Sequence, residues 1–365
     1  MNLFRLGQQG NFRSMTVFHA LARVGIEGLI LVEPDHHFVC LGYFDDAEAT
    51  VDFELCAKEN LSVMRREIGG GVVLLAPGQL FYQLILKKGD PRMPLSVAEA
   101  YRKFSCAPIA VYRRLGVDVV YRPVNDLVTA EGGKKISGQG AADIGACFVF
   151  VGNILLNFDP WLMSRCIKVP DESFHNRLYQ SLEKSLSWVG RELGFMPEMK
   201  DVEKIATEEF ERIVGPLEEA EIPAEVWEQA DRLAHDFTSQ DVIFMETPRR
   251  HSTIKVKEGT YLRCGVHKAP GGLIWIEVEI GEGKIQQLKV SGDRTLLSEG
   301  EFLVLSELLQ GVDFDFGQVA EKVTEFFENH CIRRPSIQPQ DLACAIVGEG
   351  GSGEERSGQP MRVAP

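Results

Sequence analysis

The chain has 365 residues, 44% hydrophobic and 25% charged, with a formal net charge of -14. That is enough chain for two domains with real cores, and the acidic balance speaks against nucleic acid or an anionic membrane surface as partner. No apolar run is long enough to span a bilayer, and Met1-Asn2-Leu3-Phe4-Arg5 opens without the apolar stretch of a secretion signal. Eight cysteines are scattered with no CxxC pair, the pattern of reduced, buried thiols, so a cytoplasmic protein without a zinc site is expected.

In chain order, 14–24 reads as a short helix. Leu29–Val32 and His37–Leu41 read as strands joined by Glu33-Pro34-Asp35-His36. A glycine cluster at 69–71 leads into Val72–Leu75, a Pro77-Gly78 turn and the strand Phe81–Leu86. A helix is predicted around 95–115, then strands at 117–121, 127–128, 135–137 and 147–156. This mixture of hairpins and a few helices predicts an α+β fold with a mixed, mostly antiparallel sheet over residues 1–170. The pattern then turns helical, and 171–248 is predicted to be a helical connection. Asp171 or Ser173 caps the first helix, whose apolar face is Phe174, Leu178, Leu182, Leu186, Val189 and Leu193. Val202, Ile205, Phe210 and Ile213 mark a second helix, and Val226, Ala230, Leu233 and Phe237 a third. Residues 249–335 read as a small α+β domain. In it Ile274, Ile276, Val278 and Ile280 alternate as in a half-buried strand, and Gly281-Glu282-Gly283 turns into a second strand. The stretch 348–365 has too little apolar surface to fold and is expected to be disordered.

Two segments have the composition of a chemical site. In Arg65-Arg66-Glu67-Ile68-Gly69-Gly70-Gly71-Val72-Val73, three glycines bring bare backbone N–H groups beside two guanidinium groups, which suits a phosphate or carboxylate. In Asn125-Asp126 followed by Gly133-Lys134-Lys135-Ile136-Ser137-Gly138-Gln139-Gly140, a lysine enters a strand between glycines. A compact ammonium there can stabilise negative charge growing on phosphorus or a carbonyl oxygen. His36-His37 is read as a surface turn, because neighbouring strand residues point to opposite faces.

Together the two segments resemble the lipoate–protein ligase family, within the group that includes biotin ligases and octanoyltransferases. The double Arg with its Gly triplet, the Asn-Asp pair with Gly-Lys-Lys-Ile-Ser-Gly, and Gly152-Asn153-Ile154-Leu155-Leu156 follow that family's order and spacing over roughly 25–165. Gly271-Gly272-Leu273-Ile274 and Ser291-Gly292-Asp293 are similar to the family's accessory domain. The resemblance implies a monomeric enzyme that joins lipoate (or octanoate) to AMP using ATP and Mg²⁺. It would then pass the acyl group to a lysine of a lipoyl-carrier protein, such as an H-protein-like carrier or an acyltransferase lipoyl domain. Lys135 is the implied catalytic residue. Arg66, Gly69, Gly70, Gly71, Val73, Asn125, Asp126, Ser137 and Gly138 would line the lipoyl and ATP sites, with Asp126 near the Mg²⁺. An acceptor amine of pKa about 10.4 must be neutral to attack, which costs about 4–5 kcal/mol at pH 7; Lys135 could lower the incoming amine's pKa, or Asp126 could take its proton.

Several positions depart from the family pattern. Leu75-Ala76 stands where many ligases have His-Asp, Val151 where many have His, and Ser137-Gly138-Gln139-Gly140 replaces Ser-Gly-Ser-Ala. The Pro77-Gly78 turn is closer to the octanoyltransferase branch. The alternatives are therefore a carrier-to-carrier acyltransferase working through a thioester on Cys147 or Cys166, and a non-catalytic lipoyl-binding protein.

Overall fold

The computed structural model describes residues 1–94, 96–123, 125–245, 253–269, 272–292, 296–332 and 337–348. They fall in two compact units, Met1–Arg250 and His251–Pro365.

The first unit contains strands β1 Asn2–Gln9, β2 Gly28–Pro34, β3 Phe38–Leu41, β4 Ser62–Arg65, β5 Val73–Leu75, β6 Gln79–Lys87, β7 Val119–Arg122, β8 Asp126–Thr129, β9 Lys135–Ile144, β10 Cys147–Leu155 and β11 Glu218–Glu219. Eight of them form one sheet in the order β11-β1-β2-β6-β10-β9-β8-β7, while β4-β3-β5 form a second. Only the β11–β1 and β1–β2 pairings of the large sheet are parallel, so the expected α+β class and mostly antiparallel sheet are what the chain adopts.

One face of the large sheet carries Tyr82, Leu84, Phe148, Phe150 and Ile154, packed with residues of helices 97–104, 106–115 and 199–214. The other carries Ile30, Val32, Phe81, Ile85 and Val149, packed with residues of helices 13–24 and 224–237. Burial of side chains this large is the main stabilising contribution, at about 25 cal/mol per Å² of apolar surface.

One expectation needs correction, the single helix over 95–115. The strands at 29–32 and 37–41, joined in sequence, do not share a sheet. β2 already has β1 on one edge and β6 on the other, so β3 leaves to pair with β4 and β5. The helix expected over 95–115 is two, Val97–Phe104 and Cys106–Leu115. Pro108 lacks an N–H and fits only the first turn of a new helix, and Ser105 at the break bonds Gln139. The helical segment 171–248 is part of the first unit, since Val202, Ala206 and Phe210 are in its core.

The second unit is a four-stranded antiparallel meander, β12 Thr253–Lys257, β13 Thr260–Ala269, β14 Gly272–Gly281 and β15 Lys284–Gly292. Ile274, Ile276, Val278 and Ile280 are all buried on one face, as their alternation predicts. Helices 299–308, 316–329 and 339–347 complete the unit; the last adds Leu342, Ala343 and Ile346 to its core, beyond the expected limit at 335. Gly271, Asp293 and the tail expected to be disordered, from 349 on, lie outside the described residues. Among the described residues no helix is long and apolar enough to cross a membrane.

Candidate active site

The geometry of the site starts from a bulge. Along β8 and β9, Asp126 pairs Gly138 and Leu127 pairs Ser137, but Val128 pairs Lys135. Ile136 is the extra residue. At such a bulge the alternation of faces is interrupted. Without it Lys135 would share a face with Ser137 and Gln139. With it Lys135 comes to the face of Gly138, and Ile136 joins the core with Tyr82 and Tyr112. There its Nζ lies 2.8 Å from Oδ1 of Asp126, whose side chain is fully buried, while that of Lys135 is 23% exposed. The ammonium passes over the bare α-carbon of Gly138: a Cβ there would stand 3.4 Å from the Lys135 Cε.

The second segment reaches the same face. A Cβ on Gly140 would stand 2.8 Å from Cγ2 of Ile68 and 3.5 Å from Cγ2 of Val151. Gly138 and Gly140 are two residues apart on one strand, so their outward directions agree and they are about 7 Å apart. Fold and bulge together thus set Ile68, just ahead of the glycine triplet, on the sheet face that carries Lys135.

The two arginines ahead of the triplet have separate tasks. Arg65 is buried, 1% exposed, and donates to carbonyls of Gly42 at 3.0 Å, Tyr43 at 3.1 Å, Asp45 at 2.7 Å and Val242 at 2.8 Å, and also to that of Ile243. It is a structural clamp. Burial holds its pKa below the usual arginine value. Arg66 turns back on its own loop, donating to carbonyls of Cys40 at 3.0 Å, Gly69 at 3.0 Å and Gly71 at 2.9 Å. With those carbonyls held by the guanidinium, the N–H groups of Gly69, Gly70 and Gly71 make no hydrogen bond among the described residues. Successive unpaired N–H groups in a tight loop form a concave anion site. Gly70 has φ +98°, and a Cβ on Gly42 would stand 1.9 Å from the Gly70 oxygen, so the loop closes only over a glycine. Gly42 was missed at the sequence level; a Gly ending the apolar run Phe38–Leu41 is its only signal.

The remaining motif residues support this arrangement. The Asn125 amide donates to the Gln139 carbonyl at 2.7 Å, and the Gln139 N–H to the Asn125 carbonyl at 3.0 Å, tying β9 to the start of β8. Ser137 Oγ donates to the Asn153 carbonyl at 2.6 Å. Gln139, where the family pattern has serine, joins a buried chain: the Ser105 hydroxyl donates to its Oε1 at 2.8 Å, and its Nε2 donates to the Tyr82 hydroxyl at 2.9 Å. Burial pushes the Tyr82 phenol upward, so it stays protonated. Val73 is at the start of β5, 37% exposed, opposite Cys40.

Beside the loop, His19 is fully buried, its Nδ1 2.8 Å from the Met15 carbonyl and its Nε2 3.8 Å from Glu67. Burial lowers its pKa to about 4 against the opposing pull of Glu67.

The candidate thiols are elsewhere. Cys147 lies at the far end of β10, opposite Lys87, six residues or roughly 20 Å along the strand from Asn153. Burial, then Glu27, raises its pKa. Cys166 ends helix 160–166 with its thiol against Cys56, and that hydrogen bond, with burial, raises its pKa. The cysteine that does meet the site is Cys40, its sulfur 3.7 Å from Arg66 Nη1, and burial raises its pKa as well.

A resident Mg²⁺ does not fit Asp126. Its carboxylate is paired with Lys135, and among the described residues no three His, Cys, Asp or Glu side chains gather to hold a metal. Magnesium that keeps most of its waters and binds through substrate phosphates needs no such cage.

Residues 15–211 match the model of the lipoyl protein ligase A/B catalytic domain, more than half of the chain. The chain belongs to that family. Among curated relatives, the octanoyltransferase LipM of Kyrpidia tusciae is 27% identical over 223 residues, 55% of this chain and 81% of that protein. The lipoate-protein ligase A subunit 1 of Thermoplasma acidophilum is 28% identical over 159 residues, 41% of this chain and 58% of that protein. The fold is shared with the bipartite lipoate protein ligase of the archaeal lipoylation system of T. acidophilum, at TM-score 0.60 and 23% identity over 68% of this chain and 98% of that one. It is also shared with a lipoate-protein ligase A bound with ATP, at TM-score 0.55 and 20% identity over 67% and 99%. As a member of this lipoate ligase and octanoyltransferase family, the chain is an enzyme of lipoyl or octanoyl attachment.

Proposed function

We propose that the chain is an ATP-dependent lipoate–protein ligase, with octanoate as an alternative acyl substrate. The reading is supported by the Lys135 ammonium held over Gly138, by Ile68 of the arginine–glycine segment packing at Gly140 two residues along the same strand, and by Gly69–Gly71 N–H groups that make no hydrogen bond among the described residues. Attack of the lipoate carboxylate on the α-phosphorus of ATP builds negative charge on phosphate oxygens, and attack of a carrier lysine on the acyl phosphate builds it on the carbonyl oxygen. A fixed cation and fixed N–H dipoles stabilise both without reorganising. Asp126 holds the ammonium in place, and Ser137 and Asn125 hold the strand that carries it. ATP and lipoate are substrates here, and the acceptor is a lysine on a lipoyl-carrier domain.

The second reading, a carrier-to-carrier octanoyltransferase, is favoured by the names of relatives such as the Kyrpidia enzyme. It requires a thiolate nucleophile. Burial raises the pKa of Cys40 and Cys147, and the neighbouring Cys56 with burial raises that of Cys166, which disfavours a thiolate at each and supports the ligase reading. Incubation with lipoate, ATP and Mg²⁺ should yield lipoyl-AMP and pyrophosphate. No adenylate, together with acyl exchange from an octanoylated carrier, would replace this reading with the transferase.

A further inference from the structure

The bulge that turns Lys135 leaves a gap on the other side of its strand. The β9–β10 ladder runs from the Cys147–Ile144 pair to the Gly152–Gln139 pair, while β10 continues to Leu155. Continued in register, the ladder would pair Leu155 with Ile136. Side chains join the two strands there instead. Ser137 Oγ donates to the Asn153 carbonyl at 2.6 Å. Tyr112, from helix 106–115, is fully buried; its hydroxyl donates to the Ile136 carbonyl at 2.8 Å and accepts from the Leu155 N–H at 2.8 Å. One phenol thus stands between the two backbone groups that a regular ladder would bond directly. The Lys135 carbonyl also leaves the sheet, accepting from the Ser187 N–H at 2.8 Å. Burial pushes the Tyr112 phenol upward in pKa, so it stays a donor.

We propose that Tyr112 is a positioning residue for Lys135: its hydroxyl bridges Ile136 to Leu155, holds the bulge open, and so keeps the ammonium on the face of Gly138. Without that hydroxyl the Ile136 carbonyl and the Leu155 N–H are buried with no partner, which is costly. They are relieved by bonding each other, which continues the ladder and straightens β9. Alternation then runs unbroken down from Gly140, and Lys135 returns to the face of Ser137 and Gln139, away from Asp126. That Lys135 serves the reaction rests on the function proposed above; that Tyr112 holds it in place does not.

The test is Tyr112→Phe in the full chain, which keeps the ring and removes the oxygen. Lysines are reductively methylated with carbon-13 formaldehyde, and the Lys135 resonance is assigned by its absence in Lys135→Met. With Tyr112 present, this resonance should move on Asp126→Asn. In Tyr112→Phe it should already be displaced, and Asp126→Asn should move it no further. With lipoate, ATP and Mg²⁺, Tyr112→Phe should lower kcat about 10–100-fold and leave KM for both substrates nearly unchanged. In the Lys135→Met background it should lower kcat no further, because its effect runs through the lysine. A merely structural tyrosine would lower Tm and leave the resonance in its native place. That result would overturn the proposal, as would losses that multiply in the double variant. A displaced resonance with unchanged kcat would uphold the positioning and count against the role of Lys135 in the proposed reaction.

Discussion

The glycine-triplet loop and the β8–β9 hairpin both bring cations to one sheet face, and they use them oppositely. In the loop, Arg65 and Arg66 bind backbone carbonyls, and what faces outward is uncharged N–H. In the hairpin, Lys135 keeps its ammonium at a partly exposed position, against a buried carboxylate. The two arginines that look in sequence like an anion clamp serve as scaffold, and in the proposed reading Lys135 carries the chemistry. A guanidinium with five donors in a fixed fork suits several carbonyls at once, whereas an ammonium is a point charge that a carboxylate can aim.

The largest effect that tests this contrast is at Lys135. Lys135→Met should lower adenylation about 10²–10³-fold. It should also cost about 3–5 kcal/mol of stability, because the buried Asp126 carboxylate loses the Lys135 ammonium. Adding Asp126→Asn should restore most of the stability, measured by denaturant unfolding, and none of the activity. Recovery of activity in the double variant would mean the chemistry does not depend on the ammonium.

On the loop side, His19 gives a pH signature. Its folded pKa of about 4 lies below the ordinary 6.5, so the fold binds fewer protons between those values. Its contribution is complete above pH 6.5 and is lost as pH falls towards 4, by about 3 kcal/mol. His19→Gln should flatten that part of the stability curve and leave stability above pH 7 flat; an unchanged slope would assign the acid sensitivity to other groups.

Gly42→Ala places a Cβ against the Gly70 oxygen and should cost about 1–3 kcal/mol. Its activity loss should show in KM for ATP more than in kcat, since the loop is displaced and the lysine is not. Arg66→Met removes three carbonyl contacts and should cost about 1–2 kcal/mol. If Arg66 instead meets the reacting phosphate directly, kcat will fall as steeply as in the Lys135 variant with little change in Tm.

Much of this was legible in the chain. Branched apolar residues alternating over 274–280 and the apolar faces at 174–193 and 226–237 name their elements by period alone, although the first face is broken. Its last turn became a separate helix, Val189–Leu193, because the Ser187 N–H donates to the Lys135 carbonyl at 2.8 Å. β1 escaped notice, since Asn2–Gln9 alternates poorly and is placed by its parallel neighbours β2 and β11. Gln139 read as a departure from a motif; its partners Ser105 and Tyr82 are 34 and 57 residues away.

By itself the sequence determined which residue types could meet an anion: three consecutive glycines, two arginines before them, and a lysine entering a strand. Local chemistry and spacing suffice for that, because glycine's missing side chain and lysine's charge are properties of single residues. Only the tertiary structure decided which cation is available. That depended on the bulge at Ile136 turning Lys135 to the face of Gly138, and on carbonyls of residues 40, 42, 43, 45, 69, 71, 242 and 243 engaging the arginines. Pairing register and the hydrogen bonds of distant carbonyls are set by how the whole chain packs, so no local pattern contains them.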